Sequence, residues 1–444
     1  MAVSNAPAFL KDRRYSEGIG VRVGDFELHP GVAGEFGYDS NWLYRTTKTG
    51  PNITNGNPVD AWVMRITPSL SLSTLTQQRK EGDTSTAEPP KVAFRSTLAA
   101  TYRKFFGDAI IRQQDSISAL GNLRLDILPQ RPFGAAVYGN VERTIQASAQ
   151  GIPFPATSFN RVDFGGGAEL IAIPGGGTLD WRVGYTYAGT RYEETVGTGF
   201  NRDTHNIYTR GRWKARPRTA FLFDGTFTIA NMPDKERATY AVYYSTPIRA
   251  RLGVSTLFTP RVSLLAMAGY GGSFNDAKGA FSTVKQFDSI IGQAEMRFYL
   301  TANPAAPEDG NVSLALSSLA VGFTRDFSNN LLGGYITNNR GYAQLLYSFA
   351  GRLALTLEGG VAGIQYPQAL FTSGAVINDG WTDLRLDASL YGEYRFTNTV
   401  ALMATVRYTQ NISNTQLPIS PTSTNVFDLN WQRFEGFLGV RWFM

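Results

Sequence analysis

The chain contains no cysteine among its 444 residues. This absence excludes disulfide bonds, thiolate catalysis and metal sites built on cysteine, and it is common in proteins that cross an oxidising periplasm. The sequence also lacks an apolar run of about 18 residues, which excludes a protein that spans a membrane with helices. Architectures built from strands remain open.

Charged residues of both signs are few, and their numbers are nearly balanced. Charged residues make up only 18% of the chain, and 42 lysine and arginine residues against 36 aspartate and glutamate residues give a net charge of +6. The basic residues are spread along the chain, whereas nucleic-acid-binding proteins concentrate them in patches, so nucleic acid is not expected as a partner. Glycine (46), phenylalanine (28) and tyrosine (21) are abundant instead.

Histidine is nearly absent, with only His29 and His205. A hydrolase with a catalytic triad would therefore depend on one of them, and His205, two residues after Asp203, is the better candidate for a barrel-embedded hydrolase. A solvated loop residue is the simpler interpretation of His205, so no catalytic residue is predicted. Paired carboxylates such as Asp383 and Asp387 have Arg385 between them, which favours ion pairs over a metal site. Neither a metal nor a cofactor is predicted.

Alternation between apolar and polar residues is the dominant pattern. In the last segment the apolar residues Phe434, Leu438, Val440 and Trp442 alternate with the charged residues Arg433, Glu435 and Arg441. About eighteen such segments recur, each bounded by turn residues, a spacing typical of barrel strands of about ten residues. A soluble propeller or sandwich also alternates, but its outward face is polar. The pattern predicts an all-β fold, a transmembrane antiparallel up-and-down β-barrel of about 18 strands with a polar lumen.

The connections alternate in length, as an up-and-down barrel requires. Short turns are predicted at residues 129–132, 174–177, 258–261, 350–352 and 397–399, and longer outer loops at 48–60, 108–118, 150–160, 193–203, 273–286, 367–379 and 410–425. Two connections, 77–90 and 301–311, are unusually long for the periplasmic side. The apolar phase slips near Ser317 and Ser318, which predicts a β-bulge. One barrel domain is expected over residues 24–444, after an N-terminal periplasmic segment, residues 1–23.

The polar face of each segment is predicted to line the lumen. The charged residues assigned to this face are Arg65, Arg95, Arg103, Arg124, Asp126, Glu142, Asp163, Glu169, Asp180, Arg182, Arg210, Arg212, Glu295, Arg297, Glu358, Asp383, Arg385, Asp387, Glu393, Arg395, Arg407, Arg433, Glu435 and Arg441. Tyr138, Tyr299, Tyr342 and Tyr391 are inward candidates for stacking against sugar rings, although filling space near the wall is the commoner role of such tyrosines. The slight excess of arginine suggests a general or anion-favouring diffusion porin.

Residues 24–41 and the second segment carry a family resemblance. The matching residues are Gly24, Phe26, Pro30, Tyr38, Asp39, Asn41 and Pro68, and this pattern resembles the entry signature of the β-barrel porin 2 family of outer-membrane proteins. The resemblance implies a barrel of the kind encoded with exopolysaccharide export systems in myxobacteria. It therefore implies a polysaccharide substrate and, as a partner, a periplasmic polysaccharide export protein that lacks its own membrane-spanning part.

The expected location is the bacterial outer membrane, with lipid around the barrel. Residues 1–14 lack the charged and apolar regions of a signal peptide, so the sequence is expected to represent the mature form. Three functions stay open at this point: a polysaccharide export channel, a diffusion porin and a barrel-embedded hydrolase. The sequence leaves open the oligomeric state and whether loops such as 273–286 constrict the pore.

Overall fold

The computed structural model describes residues 20–74, 91–129, 131–145, 160–194, 198–237, 244–275, 286–300, 317–330, 334–371 and 373–444. Within these residues, eighteen long strands form one antiparallel sheet. The strands are β1 Phe26–Asp39, β2 Ala61–Thr74, β3 Val92–Gly107, β4 Ser116–Ile127, β5 Phe133–Thr144, β6 Arg161–Ala172, β7 Leu179–Tyr192, β8 Arg202–Arg216, β9 Thr219–Asn231, β10 Ser245–Thr259, β11 Val262–Asn275, β12 Phe287–Tyr299, β13 Ser318–Asn330, β14 Gly334–Phe349, β15 Leu353–Tyr366, β16 Trp381–Arg395, β17 Val400–Ile412 and β18 Trp431–Phe443.

The sheet closes into a barrel because its first and last strands pair. Each strand pairs with the next along the chain, and β1 pairs with β18 from Gly31 opposite Phe443 to Asp39 opposite Glu435. Closure removes the free edges that an open sheet would expose. The predicted fold class, strand number and up-and-down order are therefore confirmed.

The outer face of the wall is apolar. On β18, Leu438 is 63% exposed on the outer face, whereas Arg433 on the inner face is 6% exposed. Leu252 on β10 and Ile290 on β12 are the most exposed outward residues, at 71% and 72%. A closed antiparallel barrel with an apolar belt and all its wall strands paired is the architecture of outer-membrane proteins. The chain is accordingly a protein of the bacterial outer membrane.

The helices of the described residues are short, and none of them is long and apolar enough to cross a membrane. Two are single turns, Ala109–Arg112 and Pro174–Gly177, and two are 3-10 turns, Thr198–Phe200 and Lys235–Arg237. In the turn Pro174–Gly177, Gly175 and Gly176 have φ values of 66° and 64°, a left-handed conformation that glycine adopts at little cost.

The two ends of the barrel differ as the connection lengths predicted. The end at which β1 begins and β18 ends, called the terminal end below, has tight turns such as residues 217–218, 260–261 and 350–352. The opposite end, called the loop end, has longer connections, among them residues 40–60 and 413–430.

Several predictions lie partly or wholly outside the described residues. These are the connections 77–90 and 301–311, most of the loops 150–160 and 273–286, the apolar residues before the phase slip at Ser317, and residues 1–19 of the N-terminal segment. Of that segment, Val21–Val23 form a short strand that pairs with the start of β1.

Candidate functional site

The inner face of the wall carries every charged residue that the sequence analysis assigned to it. Neighbouring strands bring such residues opposite each other, as with Glu35 and Arg65 on β1 and β2 or Asp180 and Arg212 on β7 and β8. The four predicted tyrosines also lie on this face. The period of two along each strand fixes this arrangement, because successive side chains point to opposite faces of the wall.

Some of these inward residues are covered by their neighbours. Arg103, Asp383, Glu393 and Arg441 are at most 5% exposed. Arg441 Nη2 donates to Glu393 at 3.0 Å, so this pair lies within packed side chains. Facing inward is therefore not the same as lining open space, and only part of the predicted set can meet a solute.

Three arginines converge on Glu169, whose side chain is fully buried. Arg124 Nη2 donates to Glu169 Oε1 at 2.6 Å, and Arg210 Nη2 donates to Oε2 at 3.2 Å. Arg182 Nη1 lies 3.5 Å from Oε1, and the Tyr208 hydroxyl donates to Oε2 at 2.9 Å. Arg124 also pairs with Asp126 at 2.8 Å, and Arg182 also pairs with Asp180 at 3.0 Å, so three arginines and three carboxylates form one ion-pair network at this part of the wall.

A cavity of about 450 Å³ adjoins this cluster, on the wall between β4 and β10. Four arginines and two carboxylates are among its lining residues: Arg124, Arg210, Arg249, Arg251, Glu169 and Asp224. Arg251 donates two hydrogen bonds to Asp224, at 3.0 and 2.8 Å. Because guanidinium groups bind carboxylates and other oxyanions through paired hydrogen bonds, the composition of this cavity favours an anion.

Two of the inward tyrosines, Tyr138 and Tyr342, lie close against glycines of a neighbouring strand. A Cβ atom at Gly167 would lie 2.8 Å from the Tyr138 hydroxyl oxygen, and one at Gly322 would lie 2.5 Å from Tyr342 Cζ. Glycine is therefore required where these rings rest on the wall. Tyr391 is different, because it is only 7% exposed and packs in a cluster with Met403, so its ring offers little surface to the lumen.

Hydrogen bonds hold the remaining tyrosines in place. The Tyr138 hydroxyl lies 2.9 Å from that of Tyr208, and the Tyr342 hydroxyl donates to Glu295 at 2.7 Å. The Tyr299 hydroxyl accepts a weaker bond from Ser263 at 3.4 Å. These contacts favour the space-filling interpretation of the tyrosines, although Tyr138 also lines the arginine-rich cavity.

Sequence reasoning missed several inward charges. Arg249, Arg251 and Asp224 line the cavity, and Arg340 on β14 binds Asp387 at 2.6 Å and Glu358 at 2.8 Å. Arg249 and Arg251 flank an outward Ala250 in the same alternation that identified other strands. The alternation around Ala250 could therefore have identified Arg249 and Arg251 as inward residues from the sequence.

His205 and Asp203 have separate hydrogen-bond partners. His205 lies on the outer face of β8, exposed, with the Tyr185 hydroxyl 2.7 Å from its Nδ1 atom. Asp203 instead accepts hydrogen bonds from Tyr187 and Arg191. His205 thus lies near the loop end of β8 and faces outward, and the barrel-embedded hydrolase stays an untested alternative.

Within the ranges that the structure describes, no three acidic or histidine side chains are arranged to hold a metal ion. His29 lies on the inner face of β1, where its Nε2 atom is 3.4 Å from Glu27.

Loops from opposite sides of the barrel meet across the loop end. Phe200 and Met232, which follow β7 and β9, belong to one buried apolar cluster with Leu417 and Phe427, which lie between β17 and β18. Strands β9 and β18 stand on opposite sides of an eighteen-strand barrel, so this cluster crosses the mouth. We call the two short hairpins of this region the lid: Ala369–Leu370 with Val376–Asn378, and Gln416–Pro418 with Val426–Asp428.

The lid is fixed by a buried carboxylate, Asp428, whose side chain is fully buried. Its oxygens accept hydrogen bonds from Thr46 Oγ1 at 3.2 Å, Lys48 Nζ at 3.1 Å and Gln416 Nε2 at 3.1 Å. Asn55 Nδ2 donates to the Asp428 carbonyl at 2.8 Å, and the Asp428 amide donates to Asn55 Oδ1 at 3.0 Å. The loop between β1 and β2 is thereby tied to the loop between β17 and β18.

Two carboxylates in the loop-end connections stay ionised through hydrogen bonds. Burial alone would raise the pKa of Asp115, but hydrogen bonds from Lys104 Nζ and the Phe105 amide hold that pKa below its usual range. Two hydrogen bonds from Arg143, at 2.5 and 2.7 Å, lower the pKa of Glu193. The rim of the barrel therefore carries paired charges at neutral pH.

Comparisons with known proteins add no functional assignment. No family model and no curated protein matches the sequence, so the resemblance to the β-barrel porin 2 family is not confirmed. Among solved structures, OccAB4 of Acinetobacter baumannii is 9% identical, with a TM-score of 0.43 and coverage of 94% of this chain and 98% of that chain. The outer membrane protein OpdK of Pseudomonas aeruginosa is 10% identical, with a TM-score of 0.45 and coverage of 95% and 99%. At identities and TM-scores this low, the similarity to these structures does not support assigning a function to this chain.

Proposed function

We propose that this barrel is a diffusion channel that favours small anions and has no catalytic role. The observation that carries the proposal is the cavity between β4 and β10, with four arginines and two carboxylates among its lining residues. Four arginines against two carboxylates leave an excess of positive charge on the lining of this cavity, and a cleft lined by one sign of charge concentrates solutes of the opposite sign. The cavity is then the place where an anion pauses on its way through the lumen.

The geometry of the arginines supports binding as well as attraction. Arg210 is 54% exposed although it contacts the buried Glu169, so its guanidinium group has donors left for a solute. Arg251 is held in place by Asp224, which keeps a second cation at the cavity. A carboxylate or a phosphate that enters can accept hydrogen bonds from both arginines without displacing either internal partner.

The polysaccharide export channel is the alternative that the family resemblance implies. In that function a threaded polymer would need a clear path through the mouth, where the cluster with Phe200 and Phe427 crosses from one side to the other. Export would therefore require the lid to leave its position, and a periplasmic partner would have to trigger that movement. Small solutes need a narrower opening at the mouth than a threaded polymer does, and this difference favours the diffusion channel.

Ion selectivity in a planar bilayer tests the proposal. Under a potassium chloride gradient, the purified barrel should open without another protein and give a reversal potential of the anion-selective sign. Arg210→Gln together with Arg251→Gln should lower the ratio of chloride to potassium permeability by about fivefold, as expected for a loss of about 1 kcal/mol of electrostatic preference.

The matched control is Arg297→Gln on β12, which removes an inward arginine paired with Glu295 away from the cavity. This variant should leave the permeability ratio close to that of the wild type. Equal effects of the two substitutions would show that the cavity has no special role. A barrel that stays closed until a periplasmic partner is added would favour export instead.

A further inference from the structure

The barrel wall contains a seam between β12 and β13. These strands pair only from Gly292 opposite Arg325 to Tyr299 opposite Ser318. Beyond Arg325, β13 continues to pair with β14, as with Asp326 and Asn338, but within the described parts of both strands it no longer pairs with β12. We call the gap between residues 287–291 and residues 326–328 the seam. It lies at the loop end of the wall.

The outward face of β13 becomes covered at the same place, although its ladder to β14 continues without a bulge. Val321 and Phe323 point outward and are each 49% exposed, so Phe327, which follows the same alternation, would be expected to be exposed as well. Phe327 is instead only 2% exposed, and its ring stacks on Phe287 of the inner face, with ring centres 4.3 Å apart. A Cβ atom at Gly271 would lie 2.6 Å from this ring, so glycine makes room for it. The end of β13 thus bends into the lumen.

One side chain bridges the seam where the backbone ladder stops. Arg325 Nε donates to the Ile290 carbonyl at 3.0 Å, and its Nη2 donates to Ser289 Oγ at 3.0 Å. Its Nη1 donates to Asn339 Oδ1 on β14 at 2.8 Å. A few side-chain hydrogen bonds are easier to break together than a continuous backbone ladder, particularly in a membrane where an unpaired backbone is costly.

On the lumen side, the seam meets the arginine-rich cavity. Arg249 lines that cavity, donates to Asp326 Oδ1 at 3.1 Å and places its guanidinium group 4.2 Å from the centre of the Phe327 ring. On the lipid side, Ile290 is 72% exposed. A path from the cavity to the lipid therefore runs from a cation, past buried aromatic rings, to an apolar surface.

We propose that the seam is a lateral portal for an amphipathic molecule with an anionic head and an apolar tail, such as a fatty acid. The head would bind beside Arg249, a step that rests on the anion site of the proposed function. The tail would replace Phe327 against Phe287 and Ile291 and extend into the lipid. Opening requires that Arg325 release Ile290 and Ser289 and that Phe327, whose carbonyl accepts a hydrogen bond from Arg249, leave its position.

The absence of cysteine allows a direct test in the intact barrel. Ile291→Cys places a thiol on the inner face beside the seam, and Met267→Cys places one on the inner face of β11, whose ladders to both neighbours are continuous there. Both native side chains are buried. In vesicles, a maleimide with a hexadecyl chain should label Ile291→Cys about tenfold faster than Met267→Cys, because local opening of the seam costs less. Arg325→Gln in the same background should speed labelling further.

Equal labelling of the two cysteines from the lipid phase would overturn the portal. Phe287→Cys serves as a second reporter if Ile291→Cys does not assemble, as judged by heat-dependent mobility on a gel. Dodecanoate in the membrane should slow labelling of Ile291→Cys, and Arg249→Gln should abolish that protection. The labelling difference concerns the seam alone, so it can fail while the reversal potential still shows anion selectivity, and the reverse also holds.

Discussion

At the residue scale, Arg433 illustrates how the wall holds charges without water. Its Nε donates to Asp39 Oδ1 at 3.0 Å, its Nη2 donates to Glu435 Oε1 at 3.0 Å, and its guanidinium group lies 4.7 Å from the Tyr44 ring centre. Arg433→Met would leave two inward carboxylates beside each other without this cation. We expect the free energy of unfolding to fall by about 3–5 kcal/mol, as for other buried pairs that lose one partner. Urea unfolding of the refolded barrel in vesicles measures it.

The control for that substitution is Arg297→Met, which removes an arginine that is 31% exposed and bound to Glu295 at 2.9 Å. Because water can solvate the remaining carboxylate, the expected loss is at most about 1 kcal/mol. The double variant Arg433→Met with Asp39→Leu should recover part of the stability lost by Arg433→Met alone. Equal losses for Arg433→Met and Arg297→Met would contradict the importance of burial.

At the element scale, the lid depends on Asp428 rather than on the barrel ladders. Asp428→Ala removes the acceptor shared by Thr46, Lys48 and Gln416 and takes this partner from the buried Thr46 hydroxyl, at a cost of about 1–3 kcal/mol to loop docking. Hydrogen exchange in residues 413–430 should become about tenfold faster, while exchange in the wall strands stays unchanged.

A matched control lies at the same end of the barrel. Asp379 is exposed and accepts one hydrogen bond from Gln368 Nε2 at 3.0 Å, so Asp379→Ala should not change exchange in residues 413–430. If Asp428→Ala also left hydrogen exchange in residues 413–430 unchanged, apolar packing alone would hold the lid.

The strands could be predicted from the sequence because their signal is local. Leu438 and Arg433 follow from a period of two that packing on each face enforces. The docking of Asp428 could not be predicted, because its partner Thr46 is 382 residues away along the chain. The burial of Phe327 could not be predicted either, since its residue type fits the outward pattern and the space at Gly271 is what lets its ring pack against the inner face of β11. Contacts that depend on which loops or strands meet in the folded protein produce no periodic pattern in the sequence.

At the scale of the whole molecule, the barrel wall and the mouth are separable structures. Hydrogen bonds between neighbouring strands stabilise the wall, whereas apolar contacts such as Leu417 with Phe427 fill the mouth. Leu417→Ser together with Phe427→Ser places two polar groups at positions that are 0% and 5% exposed, so the lid should leave the mouth. Single-channel conductance should then rise severalfold, and larger polyethylene glycols should enter the lumen, while the unfolding midpoint of the wall changes little.

The same loop supplies the control for this experiment. Pro421 and Thr422 are exposed at the tip of the hairpin, so Pro421→Ser with Thr422→Ser changes the same number of residues without changing the buried cluster. This variant should conduct as the wild type does. An unchanged conductance after Leu417→Ser with Phe427→Ser would mean that the lid does not limit flow. In that case the arginine-rich cavity, or the inward end of β13 at Phe327, would be the narrowest part of the lumen, and a conductance increase in Phe327→Ala would distinguish them.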